Sequence, residues 1–267
     1  MELFNSVFNA LTEVSPAMKL QKVKDLKENF YTYTICHNSD IMSLEAPSYA
    51  KFCKIIHPTR LQRPKGGNSN HSLAKILHSI AHIEYNAIDL GLDAVYRFRN
   101  LPLDYYYDFI ILAYEEVLHF SLLESLLQEL GYAYGDFEVH DNLFCAMQST
   151  QTLIERMALV HKGLEALGLD ANPFVRKKIE QAKTPLKKQI LATLDRILND
   201  EISHVSKGVK WLSYAQNLYG DTRSLHEILQ NFNFNIIGKI PNIKARLQAG
   251  YTLEEIELLQ SINTNMK

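Results

Sequence analysis

Glu116-Val117-Leu118-His119 and Glu201-Ile202-Ser203-His204 decide the reading of this chain, because both carry the pattern Glu-x-x-His. On a helix, positions i and i+3 share a face, so each pattern aims a carboxylate and an imidazole the same way. Outward from the first, Phe109, Leu112, Glu116, His119, Leu123, Leu126 and Leu130 follow a 3-4-3-4 spacing. Around the second, Leu194, Ile197, Glu201, His204, Gly208 and Trp211 follow it too. That spacing is the buried stripe of a bundle helix. An acid and an imidazole in such a stripe are costly unless something pairs with them.

Four long helices account for the middle of the chain. The first is expected over about Ser72–Arg99, with Leu77, Ile80, Glu84, Ala87, Ile88, Gly91 and Val95 on its apolar face and Leu101-Pro102 ending it. The second is expected over about Asp104–Leu130, with Asp104 as N-cap and Gly131 closing it. Gly131–Asp141 is too broken for a helix; extended, it covers about 36 Å, the reach of a long crossover. A third helix is expected over about Asn142–Leu167, stopping at Gly168, then a short basic helix from Asn172-Pro173. The fourth is expected from Thr184-Pro185 to about Tyr219-Gly220. Residues 1–71 read as an extension: two short helices broken at Ser15-Pro16, packed on the main domain, then an irregular connection from 36 that wraps it. The bundle is expected over 72–220, and a tail with a last helix near 252–262 over 221–267.

Two Glu-x-x-His helices plus a lone Glu from each of two others form the ligand set of four-helix di-iron and di-manganese carboxylate proteins. Glu84 lies about 17 residues before the turn near Leu101 and Glu116 about 15 after it, so their levels differ by only about 3 Å. For the fourth carboxylate the spacing leaves Glu165 and Glu155 open, since Glu165 lies beside the stripe of Leu153, Met157, Val160, Leu164 and Leu167. Four carboxylates and two imidazoles without a thiolate suit two iron or manganese ions.

Other groups read more plainly. His78 and His82 have the spacing of a zinc pair, yet His82 is about 200° around the helix from Glu84 and no HExxH accompanies it; a place on the surface or behind the ligands is expected. Tyr85, Tyr114 and Tyr105-Tyr106-Tyr107 read as ring packing rather than radical sites. Ser121 and Ser203 show no nucleophilic arrangement. Arg176, Lys177, Lys178, Lys183, Lys187 and Lys188 form a basic patch, read as a solvated face, with an acidic partner such as RNA the lesser alternative.

The 267 residues are 46% hydrophobic and 22% charged, with a net charge of −2, so no global field favours nucleic acid or a membrane. No apolar run approaches the roughly 20 residues that span a bilayer. Met1-Glu2-Leu3-Phe4-Asn5 does not resemble a signal peptide, and Cys36, Cys53 and Cys145 suggest no disulfide framework, so a cytoplasmic location is expected.

Several blocks together resemble the DUF455 family of ferritin-like proteins. They are His82-Ile83-Glu84 with Ala87–Leu90, Leu92–Val95 and Arg97-Phe98; Glu115–Phe120 with Leu130-Gly131, Tyr134–Phe137 and His140-Asp141; Arg156–Val160 with Leu164–Asp170; and Asp200–Val205. The tail adds Phe234-Asn235, Ala245-Arg246 and Ala249-Gly250-Tyr251. The resemblance implies an all-α, ferritin-like four-helix bundle with a di-iron type site and selects Glu165 as the fourth carboxylate. His161 departs from it, since Pro is expected there, one turn before Glu165. A distant likeness to ferritin-like tRNA hydroxylases is one of fold and transfers no substrate. The expectation is thus an oxidoreductase using O₂ or peroxide on a small molecule, its metals held by Glu84, Glu116, His119, Glu165, Glu201 and His204. The alternative is a non-catalytic iron-handling protein.

Overall fold

The computed structural model describes residues 1–62, 64 and 66–265. It is all-α: among the described residues, extended pairing is limited to isolated bridges joining Glu2 to Thr34 and Ile55 to Val139. The chain forms two compact units, Met1–Phe144 and the residues from Cys145 onward. This division cuts across the sequence-based boundaries after 71 and 220: the N-terminal helices and the tail each share a unit with the helices they cover.

The first unit holds α1 (Leu3–Leu11), α2 (Pro16–Glu28), α3 (Asn70–Arg97) and α4 (Leu103–Glu129). Ser15 caps α2 ahead of Pro16, and Ser69 caps α3, each accepting an N–H with its hydroxyl. The expected cap at Asp104 is instead a first-turn acid, because Pro102 holds the N-cap position. Helices α3 and α4 form the central pair, with α1 against α3 and α2 against α4, so the expected accessory pair is present. The central pair comes very close at Gly91, where a Cβ would stand 3.1 Å from Leu112 and 3.2 Å from the Phe109 carbonyl. Gly131, at φ 83°, ends α4 as expected. The irregular stretch before α3 meets the segment after α4 at one bridge: Ile56 N–H donates to the Val139 carbonyl and Val139 N–H to that of Lys54.

The second unit departs further from the sequence reading. The single helix expected over 142–167 is three pieces: α5 (Asn142–Ser149), α6 (Leu153–Arg156) and a π-helix, Met157–Leu164. The break has a local cause, since Thr152 and Glu155 cap each other reciprocally and start a new helix. The chain then runs on through Gly168 as α7 (Ala166–Gln181). Pro173 therefore lies inside a helix rather than opening one. A proline removes the hydrogen bond to the carbonyl four residues back; that carbonyl, of Leu169, accepts from the Asn242 side chain at 3.3 Å instead. Helix α8 (Lys187–Tyr219) begins slightly after the expected Thr184-Pro185 and ends at Gly220, in the left-handed conformation. The tail adds α9 (Leu225–Leu229), α10 (Ile243–Gln248) and α11 (Leu253–Asn265).

Candidate metal centre

Both Glu-x-x-His patterns face inward, as their stripes require. On α4, Glu116 and His119 have no solvent exposure, and Glu84 on α3 is 4% exposed. Each of the three offers a ligand atom, all within 4.8 Å of one another. The His119 Nδ1 lies 3.1 Å from a Glu84 oxygen and 3.2 Å from one of Glu116. The short α3–α4 turn brings these positions to one level, as the residue count required.

The electrostatics of this cluster call for a cation. Burial alone would depress the His119 pKa, but the hydrogen bonds and charges of Glu116 and Glu84 outweigh it and hold the imidazolium up to about 11. A proton held on His119 offsets part of the charge of the two buried carboxylates. A divalent ion bound at the same atoms does so with more charge and releases that proton. The donor set, hard oxygens and one imidazole, fits a first-row ion of the iron or manganese type. The cluster could therefore hold metal.

In the second unit, Glu201 and His204 sit on the inner face of α8, 8% and 0% exposed, with 3.8 Å between the His204 Nδ1 and a Glu201 oxygen. Glu165, at the junction of the π-helix and α7, is buried and meets the His161 Nδ1 at 2.9 Å. Among the described residues, Glu165, Glu201 and His204 do not draw together into a cluster as tight as that of the first unit. Glu155, the other candidate by spacing, is taken up by its capping box with Thr152.

His78 and His82 are not on the surface, as one of the expected alternatives had it. Both are buried, and each ring is engaged as a neutral group. The His78 Nε2 accepts the Gly135 N–H at 2.9 Å, and burial pushes its pKa down to about 4. The His82 Nε2 donates to the His140 carbonyl at 2.6 Å while its Nδ1 meets the Tyr134 hydroxyl at 2.9 Å; burial pushes this ring to about 3. Their rings and those of Tyr49, Phe52, Tyr85, Phe120 and Tyr134 pack together in one aromatic layer, so Tyr85 is engaged in ring packing. Tyr134, which the sequence did not single out as a site residue, touches five of those rings from the broken segment after α4.

Other expectations resolve as follows. Asp89 binds Lys19 of α2 at 2.5 Å and the Ser48 hydroxyl at 2.8 Å, all of them buried. Asp200 lies 3.6 Å from Arg196. In the basic patch, Arg176 pairs with Asp195 and Glu180, and Lys187 donates to the Glu180 carbonyl. The cysteines are all free. Among the described residues, no helix is long and apolar enough to cross a membrane.

Fold and site define a class: an all-α protein with a buried carboxylate–imidazole cluster that could hold a metal ion. Within that class the chain belongs to the DUF455 family, described as "Protein of unknown function (DUF455)", whose model matches residues 12–257. A protein of Haemophilus influenzae, described as "Uncharacterized protein", is 42% identical over 204 residues, 73% of this chain and 70% of its own. No solved structure matches the chain.

Proposed function

We propose that this is a ferritin-like, carboxylate-bridged dinuclear metal protein acting as an oxidoreductase on a small organic substrate, with O₂ or peroxide as oxidant. Glu84, Glu116 and His119 would hold one ion, and Glu165, Glu201 and His204 the other. Iron is the ion of first choice and manganese the second, because carboxylates dominate and no thiolate is offered. The observation that carries this reading is the first-unit cluster: two carboxylates and an imidazole, nearly without exposure, whose ligand atoms converge within 4.8 Å. Buried acids converge in this way at a cost, and a bound cation offsets it.

When bound, such an ion pair supplies activation of the oxidant. The chain's own contributions follow from its side chains. Glu84 and Glu116 present oxygens from adjacent helices, and His119 is held by both of them. The rings of Tyr85, Phe120 and Tyr134 pack against one another within the same unit.

Metal analysis of protein from cells supplied with iron and manganese tests the proposal. About two ions per chain are expected, since two ligand triplets each hold one. Chelation should lower the melting temperature, and Glu116→Ala should abolish that metal-dependent increment. No bound metal, or a single zinc lost on replacing His78 and His82, would sink the reading.

A further inference from the structure

We infer that His161 is a further metal ligand, a third imidazole that pairs with Glu165; the inference rests on the dinuclear reading above. His161 has no solvent exposure, and its Nδ1 stands 2.9 Å from a Glu165 oxygen. The same relation marks the two histidines of the Glu-x-x-His patterns. The His119 Nδ1 faces carboxylates at 3.1 and 3.2 Å, and the His204 Nδ1 faces Glu201 at 3.8 Å. Two ligand atoms each about 2.1 Å from an octahedral ion, at right angles, stand about 3.0 Å apart. Nδ1 of His161 and the Glu165 oxygen are already at that separation. A hydrogen bond has the same length, so the ion itself decides between a ligand and a prop.

The backbone beneath His161 is held off the α-helical path by three separate contacts. Glu165 N–H donates to the carbonyl of Val160, five residues back, which is the π-helical bond and encloses His161 and Glu165 in one wide turn. Gly208 of α8 lets the two backbones nearly touch, since a Cβ there would lie 2.4 Å from the His161 carbonyl. The Tyr251 hydroxyl takes up the Lys162 carbonyl at 2.6 Å, and Ile236 lies against Gly163. Wide turns of this kind are frequent at functional sites. Here the wide turn holds both members of an i,i+4 pair, an imidazole and the lone carboxylate.

The consequence is chemical inequivalence. The first unit offers two carboxylates and one imidazole, and the second offers two carboxylates and two imidazoles. Nitrogen donors favour iron over manganese more than carboxylates do, so the position in the second unit is the more iron-selective.

Cobalt(II) titration of the full-length, metal-free protein tests this, followed by visible absorption, with His161→Ala and His161→Gln in parallel. Wild type should take up two equivalents. Both variants should bind the first equivalent as wild type does and the second at least about 10-fold more weakly, with loss of its visible bands. Glutamine keeps an N–H that can hold Glu165 but is a poor ligand, so wild-type uptake by His161→Gln would make His161 a prop and overturn the inference. Uptake unchanged in His161→Ala would overturn it too. X-ray absorption of the doubly loaded wild type gives a reading that needs no variant: three imidazoles per two ions are expected, and two would refute the assignment. Wild type that binds no cobalt would bring down the dinuclear reading along with this one, whereas two tight equivalents in every variant would remove this one alone.

Discussion

The two units carry the same parts in the same order on different backbones. In the first, the lone carboxylate is Glu84, and Asp89 follows it on α3; in the second, Glu165 is followed at the same interval by Asp170 on α7. Each aspartate is bound by a buried cation from a flanking segment. Lys19 of α2 reaches Asp89 at 2.5 Å, and Arg246 of α10 grips both Asp170 oxygens at 2.9 and 2.7 Å. Each lone-Glu segment then packs against a Glu-x-x-His helix through a glycine, Gly91 in one unit and Gly208 in the other. The difference lies in the lone-Glu segments. Helix α3 is a regular α-helix, while its counterpart passes through a π-helix that brings in His161. The N-terminal extension and the C-terminal tail therefore do one job twice: each clamps a ligand-bearing helix with a buried charge. The regular helix sets Glu84 3.1 Å from the His119 Nδ1, and the π-helical segment sets Glu165 2.9 Å from the His161 Nδ1.

The clamps give the largest expected effects. Removing one member of a buried ion pair strands the other, at about 3–5 kcal/mol. Arg246 also donates to the Ile236 and Ala166 carbonyls, whereas Lys19 adds only that of Leu11. Arg246→Ala should therefore cost about 5 kcal/mol and Lys19→Ala about 3, as read by urea unfolding. A loss below about 1 kcal/mol in either would break the parallel between the two flanking segments, and equal losses would mean that the extra carbonyl bonds of Arg246 add nothing.

The glycines come next. At Gly208 an added Cβ meets backbone, which cannot rotate away; at Gly91 it meets mainly the Leu112 and Ala113 side chains, with one carbonyl at 3.2 Å. Overpacking costs about 1–3 kcal/mol. Gly208→Ala should fall at or above the top of that range and Gly91→Ala nearer the bottom, in thermal melts of the metal-free protein. The reverse order would mean that the π-helix yields more easily than α3, and the contrast between the units would lose its basis.

The sequence made the regular half readable. The stripes on α4 and α8 are buried as their spacing required, Glu84 lies at the level of Glu116, and Gly131 closes its helix. Helical period is a strong signal when a helix is long and unbroken. The other half failed for physical reasons. Residues 153–164 have the same apolar pattern whether wound as α or π, and nothing local says that Gly208 will admit a backbone there. Pro173 reads as a helix start until Asn242, far along the chain, satisfies the carbonyl that it leaves open. Lys19 opens a charged, helix-favouring run, and nothing local marks it for burial, because its partner Asp89 lies on another helix. His161 stood out only as a departure from the family's expected proline, although its four-residue interval from Glu165 is the spacing of helical neighbours.

Anomalous diffraction at the iron and manganese edges, from crystals of metal-loaded protein, tests the central claim most directly. Two peaks about 3.5–4 Å apart are expected, the spacing of a two-metal site. One should lie against Glu84, Glu116 and His119, the other against Glu165, Glu201 and His204. A single peak, two distant peaks, or density confined to His78 and His82 would contradict the account.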